Sequence, residues 1–162
     1  MATFTRDGYG IVEPNHLSAQ RTGQIYAQLP ANSDIEVLEN GQFVKYDYVN
    51  NEVNFTGSGE WMMVFNEIKL YEPRQFLKDF AMKAADAVDG EIVPRVFKIN
   101  SGDIFTTNCV GAPGAAVTVS AGDKLSVGSD GYLAVDASGD FEVVAITTCP
   151  DAVQTAVKVK KI

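Results

Sequence analysis

Polar and apolar residues alternate along most of this chain with the period of two that is typical of half-buried β-strands. The clearest alternation is the last one, in which four residues, Val153, Thr155, Val157 and Val159, alternate with Gln154, Ala156, Lys158 and Lys160. Turn pairs such as Asn40–Gly41 and Asn50–Asn51 separate the earlier runs, and both tolerate the backbone conformations of tight hairpins. The pattern predicts a mainly β protein, built as a small antiparallel β-barrel or sandwich.

Two stretches sharpen this prediction. Residues 121–148 read as three short β-runs separated by two turn clusters, the first of which is centred on Asp130–Gly131. The run from Trp61 to Phe65 is apolar on both faces, which predicts a strand that is buried on both sides. The first stretch therefore favours a compact meander, and the second favours a strand inside the molecule.

The period changes to that of a helix over residues 73–89. Phe76, Phe80, Ala84 and Val88 recur every four residues, and Asp89–Gly90 provides the glycine that commonly follows a helix. The spacing predicts one amphipathic helix at about residues 74–88, with its apolar stripe packed on the sheet. The helix would follow a β-rich region at 24–72 and precede another at 92–162, as part of one domain over 24–162 or as the joint between two lobes.

Residues 1–23 have no regular apolar period, because Gly8, Gly10 and Pro14 interrupt them. Two interpretations remain open for this N-terminal arm. It is either a frayed terminus or an extended segment that becomes ordered by lying on a partner.

Charge and composition exclude several classes of protein. The 162 residues contain 13 Lys and Arg against 21 Asp and Glu, a formal net charge of −8. Nucleic-acid binding is not expected, since phosphate contacts need clustered basic residues. The chain has no apolar run long enough to span a membrane and no apolar signal-peptide core. We therefore expect neither nucleic acid nor membrane as a partner, and we expect synthesis in a cytoplasm.

No pattern of catalytic residues stands out. His16 is the only histidine, and no Ser or Cys lies near it in a pattern that would form a nucleophilic triad. The carboxylates of Asp123, Asp130, Asp136 and Asp140 fall at strand ends and turns, where Asp is favoured for local hydrogen bonds. Cys109 and Cys149 are expected to be buried thiols. The chain is not expected to be an enzyme, and no cofactor or metal is predicted.

The aromatic residues allow one further interpretation. Trp61, Tyr46, Tyr48 and Tyr71 could together form a platform for stacking sugars, although aromatic residues in strands more often pack in the core. A carbohydrate-binding β-domain of a phage fibre or a surface adhesin therefore stands as an alternative function.

A family resemblance points more specifically. The segments Ser120–Val127, Asp130–Asp140, Phe141–Thr148 and Val153–Lys160, preceded by Asn100–Asn108, resemble the closing β unit of tailed-phage capsid decoration, or cement, proteins. The shared features are a Gly-Asp turn, a short strand, a Gly turn, a strand ending in small residues, a strand carrying an apolar pair and a final Val-x-Val strand. The resemblance covers about residues 100–162.

This resemblance implies a non-enzymatic virion protein on the outer surface of a phage head, where it would bridge major capsid protein subunits and stiffen the shell. Small β-folds in this role are often trimeric, so a homotrimer is one expected assembly. The N-terminal arm would lie over neighbouring capsid subunits, and its expected contact residues are Phe4, Arg6, Tyr9, Ile11, Leu17 and Arg21.

Overall fold

The computed structural model describes residues 1–4, 6–17, 27–68, 77–149 and 154–162, and within them the protein is mainly β. The strands are β1 (Ala2–Phe4), β2 (Val12–His16), β3 (Val37–Leu38), β4 (Phe43–Asp47), β5 (Glu52–Asn54), β6 (Trp61–Val64), β7 (Met82–Lys83), β8 (Val96–Lys98), β9 (Ile104–Thr107), β10 (Val117–Val119), β11 (Lys124–Val127), β12 (Leu133–Val135), β13 (Phe141–Thr148) and β14 (Thr155–Lys161). The predicted β class is confirmed. The sheets are open, so of the two predicted architectures the barrel is wrong.

The larger sheet has six antiparallel strands in the order β12-β11-β13-β14-β9-β2. The Asp130–Gly131 turn joins β11 to β12 as the sequence predicts, and Leu125 lies opposite Val135 across that hairpin. β13 then pairs with both β11 and β14. All three predicted runs of residues 121–148 therefore belong to this sheet, but in the order β12-β11-β13, so β12 does not lie between the other two and the predicted meander is wrong.

The smaller sheet has four antiparallel strands in the order β5-β4-β6-β8, and it is buried on both faces. Phe43 and Met63 point into one core, which they share with Leu125 and Phe141 of the larger sheet. Val44, Tyr46, Met62 and Val64 point the other way, into a second core. The prediction that the Trp61–Phe65 run is buried on both sides is confirmed for its strand residues Met62 and Met63.

The second core is closed by irregular segments and by the two-stranded sheet of β3 and β7. Ile35, Leu38 and Ile92 fill it from this side. A second two-stranded sheet, β1 with β10, contributes Phe4 and Val119 to the first core. The described chain is thus layered, with the smaller sheet in the middle, the larger sheet on one face and irregular segments on the other.

The solvent face of the larger sheet is polar. Lys124 lies opposite Glu142, and Glu142 lies opposite Lys160, so opposite charges alternate across β11, β13 and β14. Val157 and Val159 of the final strand are buried while Lys160 is exposed, as the period-two pattern predicts, but Thr155 is exposed and Ala156 is buried with Ile11, so the start of the strand departs from it. This face is therefore well suited to water.

The predicted amphipathic helix at 74–88 is wrong. Residues 73–76 lie outside the described residues, and from Leu77 onward the chain forms three short 3-10 turns, Leu77–Asp79, Ala84–Asp86 and Val88–Gly90, with β7 between the first two. The reason is an available strand edge. β7 pairs with β3, and the amide of Ala84 donates to the carbonyl of Glu36 at 2.9 Å. Extended pairing here replaces helical hydrogen bonds, and it leaves Val88 of the predicted apolar stripe 85% exposed.

Two strands, β1 and β2, form within the described residues of the predicted N-terminal arm. β1 pairs with β10, and β2 forms an edge of the larger sheet beside β9. Likewise, the two predicted lobes share a core, since Phe43 packs with Phe105 and Phe141. The larger sheet and its core are therefore built from residues near both ends of the sequence.

Gly131 fits a position that a larger residue cannot occupy. Its φ is +80°, its carbonyl accepts a 2.8 Å hydrogen bond from the amide of Phe43, and an added Cβ would lie 2.2 Å from the Phe43 carbonyl oxygen. We expect Gly131→Ala to lower the free energy of unfolding by about 3 kcal/mol or more, since it adds steric overlap to an unfavourable φ.

The matched control is Gly102→Ala. Gly102 has a similar φ of +94°, but nothing lies within 4 Å of an added Cβ. Its cost should be about 1 kcal/mol, from backbone strain alone. Urea unfolding of both variants measures the difference, and equal losses would show that Gly131 is not sterically restricted.

Candidate functional site

Most of the exposed large apolar side chains lie on one side of the molecule. We call this side the outer layer and define it as residues 27–38, 47–51 and 81–93, which surround the second core. It carries exposed Val37, Tyr48, Val49, Val88 and Val93. The opposite face of the molecule is the charge-alternating surface of the larger sheet. The outer layer is therefore the better candidate for a protein-binding surface.

The most prominent part of the outer layer is the turn between β4 and β5. Val49 at this tip is 90% exposed and Tyr48 is 62% exposed. The carboxylate of Asp47 holds the turn, since it accepts hydrogen bonds from the amides of Val49 at 3.0 Å and Asn50 at 3.3 Å and from the side chain of Asn50 at 2.9 Å. The side-chain and backbone hydrogen bonds from Asn50 hold the pKa of Asp47 below its usual value, so the carboxylate that accepts these bonds stays ionised to lower pH than an ordinary Asp.

The side chain of Tyr48 is also supported. Its ring stacks on Tyr46 with 5.3 Å between ring centroids and 29° between planes. Tyr46 is buried, and its hydroxyl donates to the carbonyl of Ala27 at 2.5 Å. An exposed aromatic residue that is held by a buried one loses little entropy on binding, which is a property of interface hot spots.

A polar groove of about 350 Å³ lies beside the tip. Its lining includes Asn32, Asp47, Glu52 and Asn54. Glu52 accepts hydrogen bonds from the side chains of Asn32 at 2.8 Å and Asn54 at 3.1 Å. Within the described residues, no group of three or more Asp, Glu, His or Cys side chains is placed to hold a metal ion. The groove can therefore supply hydrogen-bond donors and acceptors to a partner protein that contacts the apolar tip beside it.

The predicted contact residues lie elsewhere. Phe4, Ile11 and Leu17 are buried, each with 3% or less of its surface exposed. Tyr9 is half-buried, and the ammonium of Lys83 lies 5.0 Å from its ring centroid. Arg21 lies outside the described residues. The structure therefore does not bring these residues together on one exposed surface.

Arg6 occupies a buried cluster that sequence reasoning missed. Its guanidinium forms a salt bridge with Glu39, and both side chains are at most 5% exposed. Glu39 also accepts from the Tyr132 hydroxyl at 2.8 Å and from the Gly10 amide. The only sequence signal was an acidic residue next to the Asn40–Gly41 turn, and such residues are usually solvated. The cluster ties the N-terminal segment to β4 and to the β11–β12 turn.

The cluster is not arranged for nucleophilic chemistry. Burial raises the pKa of Cys109 to about 12, although the nearby Arg6 opposes that rise. Burial, together with Glu39, also raises the pKa of Tyr132. Both side chains therefore stay protonated at neutral pH, and a protonated thiol is a poor nucleophile. The prediction that Cys109 and Cys149 are buried thiols is confirmed.

The four clustered carboxylates behave largely as predicted. Asp123 accepts from the amide of Ser120 at 2.7 Å, Asp130 from that of Tyr132 at 3.2 Å and Asp136 from that of Ser138 at 2.9 Å. Hydrogen bonds from Ser138 lower the pKa of Asp136. Asp140 instead pairs with Lys161 at 2.8 Å. Three of these carboxylates therefore serve turns.

The predicted aromatic platform does not form from the described residues. Trp61 lies beside Lys45 on the face of the smaller sheet that meets the larger sheet, whereas Tyr46 lies on the other face, in the second core. Tyr71 lies outside the described residues. Trp61 and Tyr46 therefore cannot stack on the same sugar.

Two further observations bear on the class of protein. No helix within the described residues has the length and apolar character needed to cross a membrane. Comparison of the chain with protein-family models, with curated proteins and with solved structures found no match.

Proposed function

We propose that the chain is a structural virion protein that binds the outer surface of a phage capsid and stabilises the head by bridging major capsid protein subunits. In this proposal the outer layer faces the capsid, and the charged surface of the larger sheet faces solvent. The proposal rests on the sequence resemblance and on the difference between the outer layer, which exposes apolar residues, and the charged surface of the larger sheet.

One observation carries the proposal. The segment that resembles capsid decoration proteins, residues 100–162, contains β9 and β11–β14, which are five of the six strands of the larger sheet. A resemblance scattered over unrelated parts of the fold would reflect only turn sequences that many β proteins share. A resemblance that coincides with one nearly complete sheet supports a shared structural module.

The outer layer supplies the expected kind of contact. Its exposed large apolar side chains are few and lie among exposed acidic residues such as Asp34, Glu36 and Asp86, so each copy would bind one site weakly. A shell presents the same site many times, and contacts spread over adjoining subunits gain through effective concentration. Binding to the assembled shell in preference to free subunits stabilises the shell by mass action.

The test is co-sedimentation with empty, expanded heads assembled from the major capsid protein of the same phage. We expect the wild-type protein to co-sediment and Val49→Asp to bind at least about ten-fold more weakly, because it places a charge at the most exposed apolar contact.

The matched control is Val144→Asp on β13 of the larger sheet, where Val144 is 48% exposed. This change should leave head binding within about two-fold, because the residue lies outside the outer layer. Failure of the wild-type protein to co-sediment would overturn the proposed function. Loss of binding by Val144→Asp but not by Val49→Asp would overturn the proposed orientation.

A further inference from the structure

A second concave site lies between the two sheets, and none of its lining residues belongs to the outer layer. It is a cavity of about 440 Å³ at the end of the sandwich where β6 and β13 begin and β11 and β14 end. Its lining residues are Glu60, Trp61, Ile99, Ser126, Val127, Asp140, Phe141 and Lys161. This volume falls in the range of roughly 300–1,000 Å³ that is typical of small-molecule sites.

The lining combines apolar and aromatic surface with a few polar groups. Ile99 and Phe141 are buried, and Trp61 is half-buried against the first core. The ammonium of Lys45 lies 4.6 Å from the centroid of the Trp61 ring and helps to fix its orientation. Ser126, Glu60, Asp140 and Lys161 add hydroxyl, carboxylate and ammonium groups.

The charges at the cavity are balanced in pairs. Asp140 pairs with Lys161 at 2.8 Å, and Glu60 pairs with Lys98 at 2.9 Å. A ligand with a full charge would have to break one of these pairs or leave its own charge without a partner. A neutral ligand with hydroxyl groups can donate to the carboxylates and accept from Lys161 while the pairs stay intact.

From this geometry we propose that the cavity binds a neutral carbohydrate, with one or two pyranose rings inside it. The ammonium of Lys161 lies 4.6 Å from the centroid of the Phe141 ring, as that of Lys45 does from Trp61, so each ring already has a cation over one face. The C–H groups of a pyranose would therefore contact Ile99, Val127 and the free parts of these rings, and its hydroxyl groups match the paired charges at the rim. This binding activity goes beyond the proposed capsid function and does not depend on it, because the outer layer takes no part in the cavity.

The sequence makes this site easy to monitor, since Trp61 is the only tryptophan. The experiment titrates the full chain with glucose, galactose, mannose, N-acetylglucosamine and their β-linked disaccharides. We expect at least one of them to produce a saturable change in tryptophan emission with a dissociation constant of about 10 mM or tighter. Saturation-transfer NMR of the same sugars gives a readout that does not depend on the tryptophan.

Two variants test the location. Asp140→Asn keeps the shape of the rim and removes one acceptor charge, and Ser126→Tyr fills part of the cavity. Each should weaken sugar binding at least about ten-fold. Asp34→Asn, a carboxylate outside the cavity, is the control and should bind as the wild type does.

Asp140 has a side chain that is 73% exposed, so Asp140→Asn should fold even if Ser126→Tyr does not. The proposal is overturned if none of the sugars gives saturable emission or saturation transfer. It is also overturned if a sugar binds but neither folded variant weakens it.

Discussion

Glu39→Leu is expected to lower the free energy of unfolding by about 3–5 kcal/mol, because it leaves the Arg6 guanidinium buried without its counter-ion. Both side chains of the pair are at most 5% exposed. The same change removes the acceptor of the Tyr132 hydroxyl and of the Gly10 amide. Equilibrium urea unfolding measures the loss.

Two comparisons separate this effect from a general loss of charge. Arg6→Met combined with Glu39→Leu should recover part of the stability, because neither charge is then left alone in the core. Asp140→Asn removes an exposed ion pair and should cost no more than about 1 kcal/mol. A loss from Glu39→Leu as small as that from Asp140→Asn would show that water reaches Arg6, and that the buried pair does not hold the N-terminal segment.

Phe43→Ala is expected to cost about 3–5 kcal/mol as well, because it opens a cavity between the two sheets. Phe43 is fully buried, and its ring centroid lies 5.5 Å from that of Phe141 and 6.2 Å from that of Phe105. Phe43 belongs to the smaller sheet and the other two belong to the larger one. Its removal should therefore destabilise both sheets together, in a single unfolding transition followed by circular dichroism.

The control for this substitution is Tyr48→Ala in the same segment of chain. Tyr48 is largely exposed, so its loss should change the free energy of unfolding by no more than about 0.5 kcal/mol. The informative contrary result is two separate transitions, of which Phe43→Ala shifts only one. The regions 24–72 and 92–162 would then unfold as independent lobes, despite the shared core.

Local patterns predicted the parts of the fold whose neighbours are close in sequence. The hairpin of β11 and β12 follows from Asp130–Gly131, and the two-sided burial of β6 follows from an uninterrupted apolar run. The turn roles of Asp123, Asp130 and Asp136 follow from the preference of Asp for its own turn amides. The hairpin and the acidic turns depend on contacts that span only a few residues, whereas β6 is buried by distant segments that its apolar run indicates without identifying.

The failures share a different cause. Asn40–Gly41 turns the chain with Gly41 at a φ of +90°, but the strands on its two sides do not pair with each other. β3 pairs instead with β7, and the side chain of Asn40 exchanges hydrogen bonds with the backbone of Asn66. A turn sequence predicts that the chain reverses direction, but it does not predict which strand the reversed segment will pair with.

The candidate surfaces were the least predictable part. Phe4, Ile11 and Leu17 are isolated apolar residues in a polar segment, which gave no sign of a shared core. Exposed Val49 and Tyr48 belong to a run whose pattern looks like an ordinary strand. Which apolar residues remain outside depends on the packing of all the layers, and that information is absent from any single segment.

By itself, the sequence determined the β class, the hairpin of β11 and β12, the final strand β14 and the acidic turns, because periodicity and turn chemistry act over a few residues. Only the tertiary structure decided that Met82–Lys83 pairs with β3, that Arg6 meets Glu39 across 33 positions, and that Tyr48 and Val49 remain exposed on the outer layer. The physical reason is that strand pairing and core packing join distant segments. Here a local helical period is overridden where the edge of β3 offers backbone hydrogen bonds to Met82–Lys83.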